Sequence, residues 1–207
     1  MSTYDNFVVE DHPFEPFIPS GAKVLIVGSF PTHKRNYKMT FKFFYAGLGN
    51  MFWPVMEKVF DRKFQYNSGD LAIKERKDLL TQRKVGLTDM LIKCYRNNGR
   101  SQDEHIFPIK FADIFRLLDA HPEIETIILT GRQRVIGPRG LFETYFYQHD
   151  LIPPVFKEHH DKILTAEFVR DKRHFEVLVP YSPSNTVIEQ GRTSESELVK
   201  MYSYCLK

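Results

Sequence analysis

The chain has 207 residues, 42% of them hydrophobic and 27% charged, a balance that fills one globular core and excludes a disordered or collagen-like protein. Its two cysteines, Cys94 and Cys205, are too few for a disulfide framework, a Cys-rich zinc site or a four-thiolate iron–sulfur cluster. The net charge of +3 is too mild to imply nucleic acid by itself, so the distribution of charge has to carry that argument.

The first twenty residues are punctuated by Pro13, Pro16 and Pro19 and read as an extended arm on a single domain spanning 1–207. Their opening stretch carries acids where a secretory signal would be basic and then apolar, so a reducing cytoplasmic setting is expected. Lys23 to Val27 is a β-branched and Leu run ending at Gly28, Ser29, Phe30 and Pro31, the pattern of a buried strand that stops where backbone can approach a ligand. A helix is expected to begin near Phe52, with Pro54 in its first turn, and a second over Leu71 to Lys84. Val85 to Leu87 reads as a short strand or turn, with Asp89 as a helix cap. Phe107 to His121 has amphipathic helical spacing, and Thr126 to Leu129 a second buried strand. Lys162 to Val169 and His174 to Val179 resemble a hairpin, and Ser194 with Glu197 has capping-box spacing ahead of a last helix. Strands alternating with helices predict an α/β fold with a mostly parallel sheet, its ligand site at the strand ends. No apolar run approaches the ~20 residues of a membrane-spanning helix.

Charge is unevenly placed. Between Pro16 and Met56 there is no acid, while Lys23, Lys34, Arg35, Lys38 and Lys42 are interleaved with Phe30, Tyr37, Phe41, Phe43, Phe44 and Tyr45. Such a stretch suits holding phosphate and stacking a base, and on charge alone it suits a solvated basic loop better. Arg132, Arg134 and Arg139 mark a second acid-free stretch, read as a surface loop.

Several chemistries are excluded by what the motifs lack. Phe30 and Pro31 occupy the turn where a Gly-x-Ser-x-Gly elbow would stand, and no glycine run makes a phosphate loop or a dinucleotide fingerprint. His159, His160 and Asp161 are adjacent, but no two histidines have the four-residue spacing of a helical zinc site, so neither a metal nor a cofactor is expected.

Three segments carry more information together than singly: Gly28-Ser29-Phe30-Pro31 with Phe44 to Trp53; Gly86 to Leu91 with Cys94, Arg96, Ser101 and Asp103; and Val179-Pro180-Tyr181-Ser182-Pro183-Ser184-Asn185. In this order they resemble the uracil-DNA glycosylase superfamily, and most closely its hypoxanthine-DNA glycosylase branch, the sixth family. The resemblance runs from about Val24 to the final helix. It implies a three-layer α/β/α sandwich with a central, mostly parallel four-stranded sheet. It implies further that Asn50 is the catalytic residue, that Gly28, Ser29, Phe30, Pro31 and Tyr45 form the base pocket with Tyr45 as stacking ring, and that Ser182, Pro183, Ser184 and Asn185 grip DNA. The basic stretch adds Lys34 and Arg35 as expected DNA contacts by their charge. Thr32, Gly47, Leu48, Thr130 and Tyr181 depart from the branch pattern, which bears on substrate choice more than on fold.

The expected activity is that of a monofunctional glycosylase in base excision repair, removing uracil or hypoxanthine from single- or double-stranded DNA. No Lys is placed by motif as a Schiff-base nucleophile, so strand cleavage is not expected, and no obligate protein partner is implied. Two other readings stay open: a DNA-binding module of the same fold that has lost turnover, and an N-glycosidase acting on free nucleosides. Read alone, Asn50 suits a cap on the helix beginning at Phe52, a role compatible with catalysis. Asp89 and Asp103 read as caps or loop braces, and Val187 or Ile188 as the wedge entering the duplex.

Overall fold

The computed structural model describes residues 6–37, 40–97, 99–100, 102–159 and 162–207. Strands β1 (Phe7–Asp11) and β2 (Val24–Gly28) come first, then helices α1 (Phe52–Val59) and α2 (Gly69–Arg83). They lead into β3 (Val85–Asp89), β4 (Leu91–Asn97) and β5 (Ile106–Phe111), followed by α3 (Ile114–Ala120), β6 (Thr126–Leu129) and α4 (Pro138–Gln148). The chain ends through β7 (Lys157–Glu158), β8 (Leu164–Arg170), β9 (Arg173–Val179), α5 (Asn185–Glu189) and α6 (Glu195–Cys205).

The larger sheet has six strands in the order β3-β2-β6-β9-β8-β7, which corrects the expected four. Strands β3, β2, β6 and β9 are mutually parallel, while β8 and β7 are added antiparallel at one edge. The β8–β9 hairpin closes through Asp171 and Lys172 at φ of 49° and 66°, left-handed positions that Asn-Gly fills more readily, so its turn was hard to see in the sequence. Alternation along the strands divides the core by face: Leu25, Val27, Ile127 and Leu129 enter one apolar cluster, and Ile26 and Ile128 the other. Residues of α3 and α4 close the first cluster, and residues of α1, α2 and α6 the second. Burial on both faces is what a parallel sheet demands.

A second, antiparallel sheet has the order β1-β4-β5. The extended arm supplies its strand β1, and Phe17 bridges to Leu87. One expectation is corrected. The helix expected over Phe107 to His121 splits into β5 and α3, because Pro108 has no N–H to donate inside a helix and because Asp113 caps the later turn, its carboxylate accepting from Arg116 N at 3.1 Å. Asp89 is likewise no helix cap but the last residue of β3. The second basic stretch gives way to α4 at Pro138, in the first turn where proline is tolerated. The capping box at Ser194 and Glu197 is formed as expected. Among the described residues no helix is long and apolar enough to cross a membrane, and no group of three or more His, Cys, Asp or Glu is placed to hold a metal ion. His160 and Asp161 lie outside the described residues.

Candidate functional site

The parallel register sets Gly28 beside Asp89 and Val27 beside Leu129, so the carboxyl ends of β2, β3 and β6 meet at one edge of the sheet. Open α/β sheets bind ligands at that edge. Gly28 is a point of close approach at this edge. A Cβ there would stand 2.1 Å from Asp89 Oδ1 and 2.9 Å from the Tyr45 hydroxyl, a separation no real side chain tolerates. Gly28→Ala is therefore expected to lower stability by about 1–3 kcal/mol, the range of overpacked sites. Urea denaturation of the variant checks this, and a loss within error of zero contradicts the close approach.

Three polar pairs surround Gly28. His12 Nε2 lies 2.9 Å from Asp89 Oδ2, Ser29 Oγ donates to Asp103 Oδ1 at 2.5 Å, and the Tyr45 hydroxyl lies 3.1 Å from Thr130 Oγ1. Burial raises the Tyr45 phenol well above its ordinary value, Asp89 and Asp103 add to this, and the Thr130 bond opposes it, so the group is neutral at physiological pH. Burial likewise pushes the Asp103 carboxyl up to about 6, with Asp89 adding to the rise and Ser29 and Arg96 opposing it.

The folded Asp103 carboxyl holds its proton to higher pH than the unfolded one, so its contribution favours folding below about 4 and is lost as pH rises through about 6. Asp103→Asn removes this loss while keeping an oxygen to accept from Ser29. Between pH 4 and 8 the variant is expected to gain about 2 kcal/mol on the wild type, from about 1.4 kcal/mol per pK unit. Denaturation midpoints at the two pH values measure it, and parallel pH curves for the two proteins would refute it.

Phe30 is buried and its ring packs into the core beneath Arg96, whose guanidinium lies 5.4 Å from the ring centroid. A contribution of Phe30 to a pocket is thus limited to its backbone. Pro31 offers its carbonyl to Arg96 Nη2 at 2.5 Å. Tyr45 adopts φ 58°, and one face of its ring is already stacked on Phe52 at 4.1 Å.

Asn50 stands one position before Met51, the N-cap of α1, so it is not the cap itself, but its side-chain oxygen accepts from Phe52 N at 2.8 Å and satisfies one of the first N–H groups of the helix. Asn50 also bridges to Ser184, and Met51 N donates to Pro183 O at 2.9 Å, which sets the segment before α1 against the loop after β9. Gly49, at φ 75°, is where a Cβ would come 3.2 Å from Asn185 Nδ2. Ser182 lies across from Gly131 at the end of β6. Ser184 precedes α5, and Asn185 opens it. Ile188 packs on the core, which leaves Val187 as the wedge candidate.

Two of the departures noted in the sequence fit each other. Thr32 Cγ2 lies 2.7 Å from where a Cβ on Gly47 would stand, so the threonine fills the space that a larger residue at 47 would need. Asn36 fixes that threonine, Nδ2 donating to its Oγ1 at 2.8 Å, and its carbonyl accepts from Leu48 N at 3.0 Å. Lys34 and Arg35 are exposed in the short turn before Asn36. Lys38 and Ser101 lie outside the described residues. His12, near the chain start, is the site member that the sequence did not reveal.

A concavity of about 480 Å³ lies at the other end of the strands, lined by Pro122, Glu125, Thr126, Arg173, His174 and Glu176, away from these residues. A scan against protein-family models and a search of curated proteins find no match to this chain.

Proposed function

We propose that the chain is a monofunctional DNA glycosylase that hydrolyses the N-glycosidic bond of a deaminated base, uracil or hypoxanthine, and leaves an abasic site. In this reading the parallel strands β3-β2-β6-β9 are the core of a three-layer α/β/α sandwich, and the setting is cytoplasmic. One observation supports it above the others: segments far apart in sequence, each matched by the resemblance, meet at the carboxyl edge of the sheet, with Asn50 bridged to Ser184 and Tyr45 set over Gly28.

Breaking the bond from C1′ to a ring nitrogen puts positive charge on the sugar and negative charge on the departing base, so fixed dipoles aimed at both carry most of the rate. The base is first rotated out of the stack, at a cost of a few kcal/mol that is smallest at a mismatch. In this reading the base stacks on the side of the Tyr45 ring turned away from Phe52. The Asn50 carboxamide has its oxygen engaged by Phe52 N, which leaves its N–H₂ to hold water or a leaving-group oxygen, and an amide removes no proton near neutral pH. Exposed Lys34 and Arg35, with the backbone around Ser182, Pro183, Ser184 and Asn185, hold phosphates and fix register without reading sequence.

Purified protein is incubated with end-labelled duplexes and single strands carrying uracil, hypoxanthine, xanthine or a G·T mismatch, then treated with alkali. Cleavage at one lesion, absent without alkali, supports the reading and names the substrate. Intact strands on every substrate overturn it. Binding retained in that case favours a module of the same fold without turnover, a reading supported by the engagement of the Asn50 oxygen with Phe52 N.

A further inference from the structure

The smaller sheet has one face turned to the core and one left open. Cys94, Arg96 and Ile106 are buried on the inner face, and by alternation their neighbours point out. The register places Val9, Tyr95 and Phe107 in one row across the three strands. They are 51%, 48% and 45% exposed, unusual for such residues lying side by side. Phe7 meets Phe107 edge to face at 5.3 Å, so the second ring is held in place.

Charge on and beside this face leaves a small excess of cations. Asp11 is matched by Lys93 at 3.0 Å and Glu10 by Arg96 at 2.7 Å, while Lys110 and Arg100 are exposed against one exposed acid, Glu104. The face is also continuous with the candidate site. The connection from β4 to β5 carries Asp103, which holds Ser29, and Gly99, where a Cβ would stand 3.5 Å from Arg35 Nη1.

We propose that this outer face is a stacking platform for the bases of a single nucleic-acid strand that leaves the candidate site past Arg35 and Arg100. Rings spaced on a sheet and rimmed by cations bind single strands in this way, one base per ring, without reading sequence. A protein partner is disfavoured by the surplus of cations at the edge, which suits a polyanion. The choice of nucleic acid rests on the proposed glycosylase reading, yet the two fail separately, because this test reads affinity and not excision.

The experiment is fluorescence anisotropy of a labelled oligothymidine with the full chain, the double variant Tyr95→Leu/Phe107→Leu and the single variant Tyr95→Trp. Leucine keeps apolar area and removes the aromatic face, so the double variant is expected to bind at least tenfold more weakly while Tyr95→Trp binds like the wild type. Circular dichroism melts accompany each variant, and if the double variant melts early, Tyr95→Leu alone takes its place with an expected weakening of about fivefold. Equal affinity for the leucine variants and the wild type overturns the proposal, as does the absence of oligothymidine binding. A dimer in solution that Tyr95→Leu dissociates also overturns it, by assigning the face to a second copy of the chain.

Discussion

Asn50→Ala is expected to reduce base excision by about 100-fold or more, the usual consequence of removing one donor aimed at developing charge. The same change removes the oxygen that accepts from Phe52 N at the start of α1, and that costs about 1 kcal/mol of stability. The two roles are separated by Asn50→Asp. Aspartate keeps an oxygen for Phe52 N and places negative charge near a helix start, where it is favourable, but it has no N–H₂ to donate. If Asn50 serves only to accept from Phe52 N, the aspartate variant is as stable and as active as the wild type. If its amide serves catalysis, the aspartate variant keeps stability and loses excision. Single-turnover excision rates beside urea midpoints for both variants decide between these outcomes.

Much of the fold was legible because burial on both faces leaves a plain mark in sequence. The runs at Val24 to Val27 and Thr126 to Leu129 are apolar at consecutive positions, and both became central parallel strands. Where one face meets solvent the mark is weaker. Residues 106–111 mix a proline, a lysine and aromatics in an order that also fits one side of a helix, and only pairing with β4 makes them a strand. The candidate site divides in the same way. Asn50, Tyr45 and the 182–185 loop stand in short motifs with strands or helices beside them, so their positions could be named. The contacts that hold them could not. His12 reaches Asp89 across 77 residues and Ser29 reaches Asp103 across 74, and no local pattern specifies a partner at that distance. Asp103 looked like a loop brace and it is one, but its burial makes it a titrating group as well.

Arg96→Ala is expected to cost about 3–5 kcal/mol, the scale seen when one partner of a buried ion pair is removed. Arg96 is fully buried and serves three directions at once: Nε donates to Glu10 at 2.7 Å, Nη2 to Pro31 O at 2.5 Å and Nη1 to Arg100 O at 3.1 Å. Those partners belong to β1, to the loop after β2 and to the connection after β4, so one side chain fastens the small sheet to the candidate site. Alanine strands a carboxylate and two carbonyls and leaves a void over the Phe30 ring. Replacing a buried ion pair with apolar groups is sometimes neutral, so Arg96→Met is the sharper comparison. Methionine fills the volume but answers neither carbonyl, and it is expected to recover no more than about half of the loss. Arg96→Lys keeps the charge, yet a compact ammonium lacks the planar fork needed for three separated acceptors and is also expected to fall short. Glu10→Gln, by contrast, leaves Nη1 and Nη2 bonded, and Glu10 keeps 23% side-chain exposure, so its cost stays near 1 kcal/mol. Urea denaturation of the four variants tests the order. If Arg96→Met is as stable as the wild type, the loop carbonyls do not need Arg96, and the small sheet is held to the site by packing alone.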